Sequence, residues 1–367
     1  MKHKIALFIT DMGFGGAERV TGYLANGLSR RDYEVDLVLV RKTGNYLADV
    51  SPTVHVVDLA ARGAIASVPK LARYLRSARP DVLVAGTAHI DVAALLARPL
   101  AGVKTRVAVT LHEPLSKFRK GLKSRLVLAA VKTLFPRADA VVSVSKSAAD
   151  DAIQTAGIPP NLFHVIYNPV ISPDLQSAAR EPVDHPWFQP GQPGVILGVG
   201  SLSTRKRFDV LVRAFAQVSK RRPERLVILG EGDQRPMLEC LIRDLGIGDR
   251  VALPGFATNP FPYMAKAALL AMSSTFEALP TVIIESLALG TPVVSTDCPC
   301  GPSEILQGGR FGRLTPVGDV DAIAQAIEAS LADGPPVVPN EVLEPYTFDF
   351  ALDRYDELIA ELLSRPR

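Results

Sequence analysis

Short apolar runs rich in β-branched residues alternate with helix-like stretches from one end of the chain to the other. KIALFIT, VDLVLV, VLVAG, RVAVTL and AVVSVS have strand length, and each precedes a stretch whose apolar residues recur at helical spacing. Continuous apolar strands separated by amphipathic helices predict βαβ units and a parallel sheet covered on both faces. The alternation pauses between Asn168 and Gly194, where Pro169, Pro173, Pro182, Pro186, Pro190 and Pro193 interrupt helix and ladder alike. It resumes in GVILGVG, RLVILG, RVALPG, ALLAMSS and PVVSTD.

The predicted fold class is therefore α/β, with two Rossmann-like doubly wound domains. One spans 1–170 and the other 194–345, joined by a linker at 171–193. A helix within 346–367, amphipathic over Asp349–Leu363, is free to pack on either domain, including back on the first. Ligands of such sheets bind beyond the carboxyl ends of the strands, so two domains are expected to face a central cleft.

Composition narrows the function without choosing it. At 367 residues, 47% apolar and 22% charged, the chain has the balance of a soluble globular protein with large cores. A net charge of +3 excludes a strongly basic nucleic-acid binder, and no nucleic acid partner is expected. Three cysteines, Cys240, Cys298 and Cys300, argue for a reducing compartment, and Cys298-Pro-Cys300 is one residue too tight for a CxxC clip. The opening MKHKIALFIT turns acidic and glycine-rich too soon for a signal peptide and reads as a first strand. With no apolar run near the ~18 residues of a spanning helix, the expected location is cytoplasmic.

Three stretches carry chemistry. After the first strand comes Asp11-Met12-Gly13-Phe14-Gly15-Gly16-Ala17-Glu18. Glycines between strand and helix let backbone N–H groups approach an anion, although a tight turn alone would also use them. The spacing is neither GxGxxG nor a Walker loop, so a nicotinamide dehydrogenase or P-loop ATPase fits poorly. The second domain opens with Gly198-Val199-Gly200-Ser201-Leu202-Ser203-Thr204-Arg205-Lys206-Arg207, whose three adjacent cations suit a diphosphate or else a solvated turn. In Glu277-Ala278-Leu279-Pro280-Thr281-Val282-Ile283-Ile284-Glu285, Pro280 suits the first turn of a helix, and Glu285 interrupts a largely apolar stretch. A buried carboxylate there needs a partner, which a ribose diol would supply.

With these motifs the chain resembles the family 4 (group 1) glycosyltransferases of GT-B fold. The likeness rests on the Gly15-Gly16-Ala17-Glu18 loop, on Lys206, and on Glu277 and Glu285 at Glu-x7-Glu spacing. It also rests on VILGEGD at 227–233, PGF at 254–256 and GTPVVSTD at 290–297. The resemblance implies a retaining enzyme that uses a nucleotide-diphosphate sugar, UDP-linked before GDP-linked. By that resemblance Lys206 binds the donor diphosphate, assisted by Arg205 or Arg207, and Gly15 and Gly16 approach the donor from the first domain. Glu285 holds the ribose, and Glu277 contacts the transferred sugar. Gly255 and Phe256 read the base beside Gly230 and Gly232. The backbone at Leu279, Pro280 and Thr281 meets phosphates and sugar, and His112 reaches the sugar from the first domain. His112 also has a plain reading as a strand-end residue. Family members commonly carry arginine where this chain has Ser201, so the charge there is missing or supplied by Arg205 or Arg207.

No cofactor is expected and no metal. Asp319-Val320-Asp321 has the letters of a metal-holding Asp-x-Asp, but it precedes AIAQAI, where aspartate caps a helix. The expected acceptor is a glycan or a polyprenyl-diphosphate-linked glycan, within cell-surface polysaccharide or glycoconjugate synthesis. Between Leu115 and Arg137, Lys117, Arg119, Lys120, Lys123, Arg125, Lys132 and Arg137 accompany Leu122, Leu126, Val127, Ala130, Val131 and Leu134 at helical spacing. Such a segment can lie on an anionic membrane surface, placing the enzyme peripherally on the inner face, or it is a surface helix packed on its own domain. A UDP-sugar epimerase of GT-B fold and an inactive sugar-nucleotide binder are the alternative functions.

Overall fold

The computed structural model describes residues 2–13, 16–116 and 122–366. The chain forms two compact units, one from Met1–Pro169 together with Asp349–Arg367, the other from Val170–Phe348.

The first unit is built on β1 His3–Ile9, β2 Tyr33–Leu39, β3 His55–Asp58, β4 Val82–Ala85, β5 Arg106–Leu111, β6 Ala140–Ser143 and β7 Phe163–Val165. They form one parallel sheet in the order β3-β2-β1-β4-β5-β6-β7. Alternate residues of β1 divide between two cores. Ala6 and Phe8 pack with Leu71, Leu75, Ile90 and Val131 from the helices Ala64–Ala78, Ala88–Ala101 and Leu122–Leu134. Ile5, Leu7 and Ile9 pack with Leu24 and Leu28 of the helix Gly16–Ser29. The two-residue strand period thus requires helices on both faces, as a continuous apolar strand implies.

The last helix, Phe348–Ser364, completes the second of these cores with Tyr355, Leu358, Ile359 and Leu362. Its polar face is tied down as well. Arg31 pairs with Asp353 and Asp356, and the Tyr33 hydroxyl donates to Asp356 at 2.5 Å. A Cβ on Gly27 would come within 2.8 Å of the Leu352 side chain, so glycine permits the close helix contact.

The second unit contains β8 Val195–Val199, β9 Arg225–Leu229, β10 Val251–Gly255, β11 Leu269–Met272, β12 Val293–Thr296 and β13 Arg313–Thr315, in the order β10-β9-β8-β11-β12-β13. Its core joins Ile196, Leu226, Ile228 and Leu269 to Leu211 and Phe215 of the helix Phe208–Val218 and Ile323 and Ile327 of Val320–Asp333. The proline-rich stretch expected to join the two domains packs as part of this unit. A short helix, Leu175–Ala178, buries Leu175, and the Asn259 side chain donates to the Ala178 carbonyl at 2.9 Å. Gln176 donates to the Ala288 carbonyl at 3.1 Å. Prolines exclude a ladder there, but side-chain donors satisfy the freed carbonyls and hold the segment in place.

In each sheet the strand order reverses once, between β1 and β4 and between β8 and β11. Ligands of open α/β sheets bind beyond the carboxyl ends at such a switch point. The loops after β1, β4 and β5, and those after β8 and β11, are therefore where chemistry is expected.

Candidate active site

At the second switch point the loop leaving β8 meets the loop leaving β11. The Thr275 N–H donates to the Arg205 carbonyl at 2.9 Å, and the Ser273 hydroxyl donates to the Lys206 carbonyl at 2.8 Å. This stitching sets three charged side chains together. The Lys206 ammonium donates to Glu277 Oε1 at 2.7 Å, and the Arg205 guanidinium donates to Oε2 at 2.6 Å. The Ser274 hydroxyl donates to Oε1 at 2.8 Å, and Arg205 also lies over the Phe276 ring at 5.6 Å.

Lys206 and Glu277 are both buried, at 8% and 7% exposure. Burial alone would raise the Glu277 pKa, but Lys206 and Arg205 outweigh it and hold the carboxyl below the usual range. Desolvating such charges costs more than a packed apolar core would, so the cluster is weakly explained by stability. Two cations against one carboxylate leave a net positive group suited to an anion. Arg207 does not join it: its guanidinium is bound by Asp209 at 2.9 and 3.1 Å.

Beside the cluster is a mostly apolar pocket of about 290 Å³, lined by Val199, Ser201, Leu229, Gly230, Glu231 and Phe256. Its wall depends on close crossing of two loops. Gly230 has φ +143, and a Cβ there would lie 1.9 Å from the Gly200 carbonyl oxygen. Gly232 serves the same packing, its Cβ position being 2.3 Å from the Leu202 carbonyl oxygen, and it is not among the lining residues. Gly255 ends β10 with positive φ, and the Phe256 side chain that follows is 76% exposed at the pocket edge. Leu279 and Pro280 are buried, Thr281 is exposed, and Glu285 is buried within the helix Thr281–Ala288. Cys298, also buried, lies close enough to Glu277 that burial and this carboxylate push its thiol up to about 12. Asp319 caps its helix, its side chain accepting from the Ala322 N–H at 2.9 Å. Among the described residues no group of three or more His, Cys, Asp or Glu could hold a metal ion.

In the first unit a pocket of about 470 Å³ opens at the ends of β1, β4 and β5, with Gly16, Thr87, His89, Thr110, His112 and Val127 in its lining. His112 directly follows β5 and keeps part of its surface open. Burial of the rest pushes its imidazole down to about 4. Gly15 lies outside the described residues, as do Lys117, Arg119 and Lys120 of the basic segment. The helix Leu122–Leu134 that continues this segment buries Leu128, Val131 and Leu134 and leaves Leu126 63% exposed. Among the described residues no helix is long and apolar enough to cross a membrane.

Comparison with known proteins agrees with this geometry. Residues 14–171 match the family described as "Glycosyltransferase Family 4", and residues 193–333 match "Glycosyl transferases group 1". A relative from Campylobacter jejuni, N-acetylgalactosamine-N,N'-diacetylbacillosaminyl-diphospho-undecaprenol 4-alpha-N-acetylgalactosaminyltransferase, is 30% identical over 341 residues, covering 90% of each chain. The chain belongs to the family 4 (group 1) glycosyltransferases. The fold of this glycosyltransferase is GT-B. A glycosyltransferase from Rickettsia africae superimposes with a TM-score of 0.81 at 16% identity, over 100% of both chains. Anabaena HepE, solved in complex with UDP and glucose, superimposes with a TM-score of 0.76 at 20% identity, over 98% of this chain and 100% of its own.

Within the glycosyltransferase, the structure gathers Arg205, Lys206 and Glu277 and sets Gly230 and Phe256 in the adjoining pocket, while His112 and Gly16 share the pocket of the first unit. The sequence reading did not single out Ser274, Phe276, Thr87, Asp91 or Thr110. Ser274 carried a weak signal, three residues before Glu277 at the end of an apolar strand. Thr87 and Asp91 carried none, since a threonine and an aspartate opening a helix read as caps.

Proposed function

We propose that this glycosyltransferase moves a hexose or N-acetylhexosamine from a UDP-sugar, with retention at the anomeric carbon, to a glycan or polyprenyl-diphosphate-linked glycan of the cell surface. The observation that carries the donor side is the Arg205–Glu277–Lys206 cluster beside the apolar pocket. A flat base fits the pocket against Phe256 and the backbone of Gly255, and Glu285 takes the ribose hydroxyls. The diphosphate lies against Lys206 and Arg205, and the Glu277 carboxylate turns to the sugar. As the glycosidic bond to phosphate breaks, negative charge grows on the leaving oxygen, where prepositioned cations stabilise it most. That oxygen takes the acceptor's proton on the face it departs from, which preserves configuration and needs no separate strong base. His112, neutral because burial depresses its pKa, orients and does not abstract.

Two further considerations support the reading. The HepE structure holds UDP and glucose, and the name of the Campylobacter relative specifies a diphospho-undecaprenol acceptor. The enzyme then works in the cytoplasm at the inner face of the membrane, which it touches through 115–137. It needs no metal, because Lys206 and Arg205 supply the positive charge that a divalent ion supplies elsewhere. Replacing Lys206 by Ala is expected to lower kcat by about 10²–10³, the range for removing one such stabilising group, while thermal unfolding stays cooperative. EDTA is expected to leave wild-type turnover unchanged. Wild-type turnover in Lys206→Ala overturns the donor assignment, and loss of activity in EDTA overturns metal independence.

A further inference from the structure

The two cations assigned to the donor diphosphate already hold an anion of the protein's own. Among the described residues Glu277 is the one acidic partner of Lys206, at 2.7 Å through Oε1, and of Arg205, at 2.6 Å through Oε2. Lys206 also sits at the edge of the apolar pocket, since a Cβ on Gly200, which lines it, would lie 3.4 Å from the ammonium nitrogen. The main chain around these residues is tied down. The Ser273 hydroxyl donates to the Lys206 and Arg207 carbonyls at 2.8 and 2.9 Å. The Thr275 N–H donates to the Arg205 carbonyl at 2.9 Å, and the Glu277 N–H to the Pro299 carbonyl at 3.3 Å. An exchange of partners at this site is therefore made by side chains.

A carboxylate with one oxygen on each cation has the arrangement that two oxygens of a diphosphate would take. Lys206 and Glu277 are buried, so neither trades its partner for water without a large desolvation cost. A nucleoside diphosphate carries more than one negative charge near neutral pH and offers more acceptor oxygens than a carboxylate, so it displaces the carboxylate where water does not. The displaced group is not left isolated. The Ser274 hydroxyl donates to Glu277 Oε1 at 2.8 Å independently of either cation, and the Thr296 hydroxyl holds the Ser274 carbonyl at 2.6 Å.

We propose that Glu277 is an internal stand-in for the donor diphosphate: it keeps Lys206 and Arg205 paired until a nucleoside diphosphate takes them, and Ser274 then retains the released carboxylate. This rests on the reading that these two cations receive the donor diphosphate. Glu277 is thereby a competitor of the ligand it serves. Donor affinity is lower than the two cations alone would give, because the arrangement with both unclaimed is a small fraction of the population. In return, the carboxylate is delivered towards the sugar only when the diphosphate is in place.

The test is isothermal titration of UDP into wild type, Glu277→Gln, Ser274→Ala and Lys206→Met, with thermal unfolding of each in the presence and absence of UDP. Glu277→Gln keeps the shape of the side chain and removes the competing charge, and is expected to bind UDP at least fivefold more tightly than wild type. Without UDP it should melt below wild type, because two neighbouring cations lose their counter-charge, and UDP should raise its melting temperature further. Ser274→Ala removes a bond that Glu277 keeps in both arrangements and is expected to bind UDP within threefold of wild type. Lys206→Met is expected to bind at least tenfold more weakly. If Glu277→Gln does not unfold cooperatively, Glu277→Asp takes its place, since its shorter side chain draws the carboxylate back from both cations; at least a twofold gain is then expected. Equal or weaker UDP binding by the Glu277 variant overturns the stand-in, as does an equal gain in Ser274→Ala, which would reflect a loosened loop. The donor reading fails separately: unchanged binding in Lys206→Met, or none in wild type, removes the diphosphate from these cations and the stand-in with it. Loss in Lys206→Met without a gain in the Glu277 variant leaves the donor reading in place and overturns the stand-in alone.

Discussion

Three adjacent cations, Arg205, Lys206 and Arg207, look equivalent along the sequence, and their partners rank them. Arg205 and Lys206 share Glu277, while Arg207 is occupied by Asp209 two residues on. Arg205→Gln is therefore expected to raise the donor KM at least tenfold in steady-state assays, and Arg207→Gln to change it less than twofold. The distinction was available in the sequence, since an aspartate two residues after an arginine at a helix start competes for it. A second consequence concerns acid. Glu277 has its pKa depressed in the folded state by Lys206 and Arg205, against the opposing effect of burial. The stability it contributes is present above the unfolded-state value of about 4.3 and is lost as pH falls through the lower folded value. Lys206→Met removes one cation, raises the folded pKa, and should move the acid-unfolding midpoint, followed by circular dichroism, to higher pH.

Among the elements, legibility followed apolar run length. The runs that became β1, β2, β4, β5 and β6, and β8 to β12, were mostly apolar, and all but Leu269–Met272 carry β-branched residues, a composition that suits strands covered by helices. β3, β7 and β13 are short edge strands with sequences HVVD, FHV and RLT, which expose too much surface to need a long apolar signature. The attachments of the proline-rich segment left no local pattern, because Asn259 reaches Ala178 and Glu181 through tertiary contacts. The amphipathic period of the last helix was plain, but the surface it covers was not, because either sheet offers an apolar face. Leu358 is buried in that contact, so Leu358→Ala is expected to cost about 2–5 kcal/mol in urea unfolding.

For the molecule as a whole, the alternation of strands and helices made two α/β units legible, while the nucleotide-sugar chemistry was legible only through the resemblance carried by Lys206, Glu277 and Glu285. The first-unit pocket was harder to read because lining residues such as Thr87 and Thr110 are of types common in any loop or cap. The proposed membrane contact belongs to this scale, since no single cation decides it. The expected outcome is flotation with liposomes containing phosphatidylglycerol, weakened by high salt, and none with pure phosphatidylcholine; equal recovery on both overturns it. The return of the helix Phe348–Ser364 to the first unit has a further effect, on the order of events at the ribosome. The second unit is one unbroken stretch, Val170–Phe348, and can close as soon as it emerges. The first unit is synthesised earlier but must wait, one face of its sheet uncovered, for the final residues of the chain. Birth order and completion order are inverted, so premature termination after the second unit releases a protein whose oldest half has never finished folding.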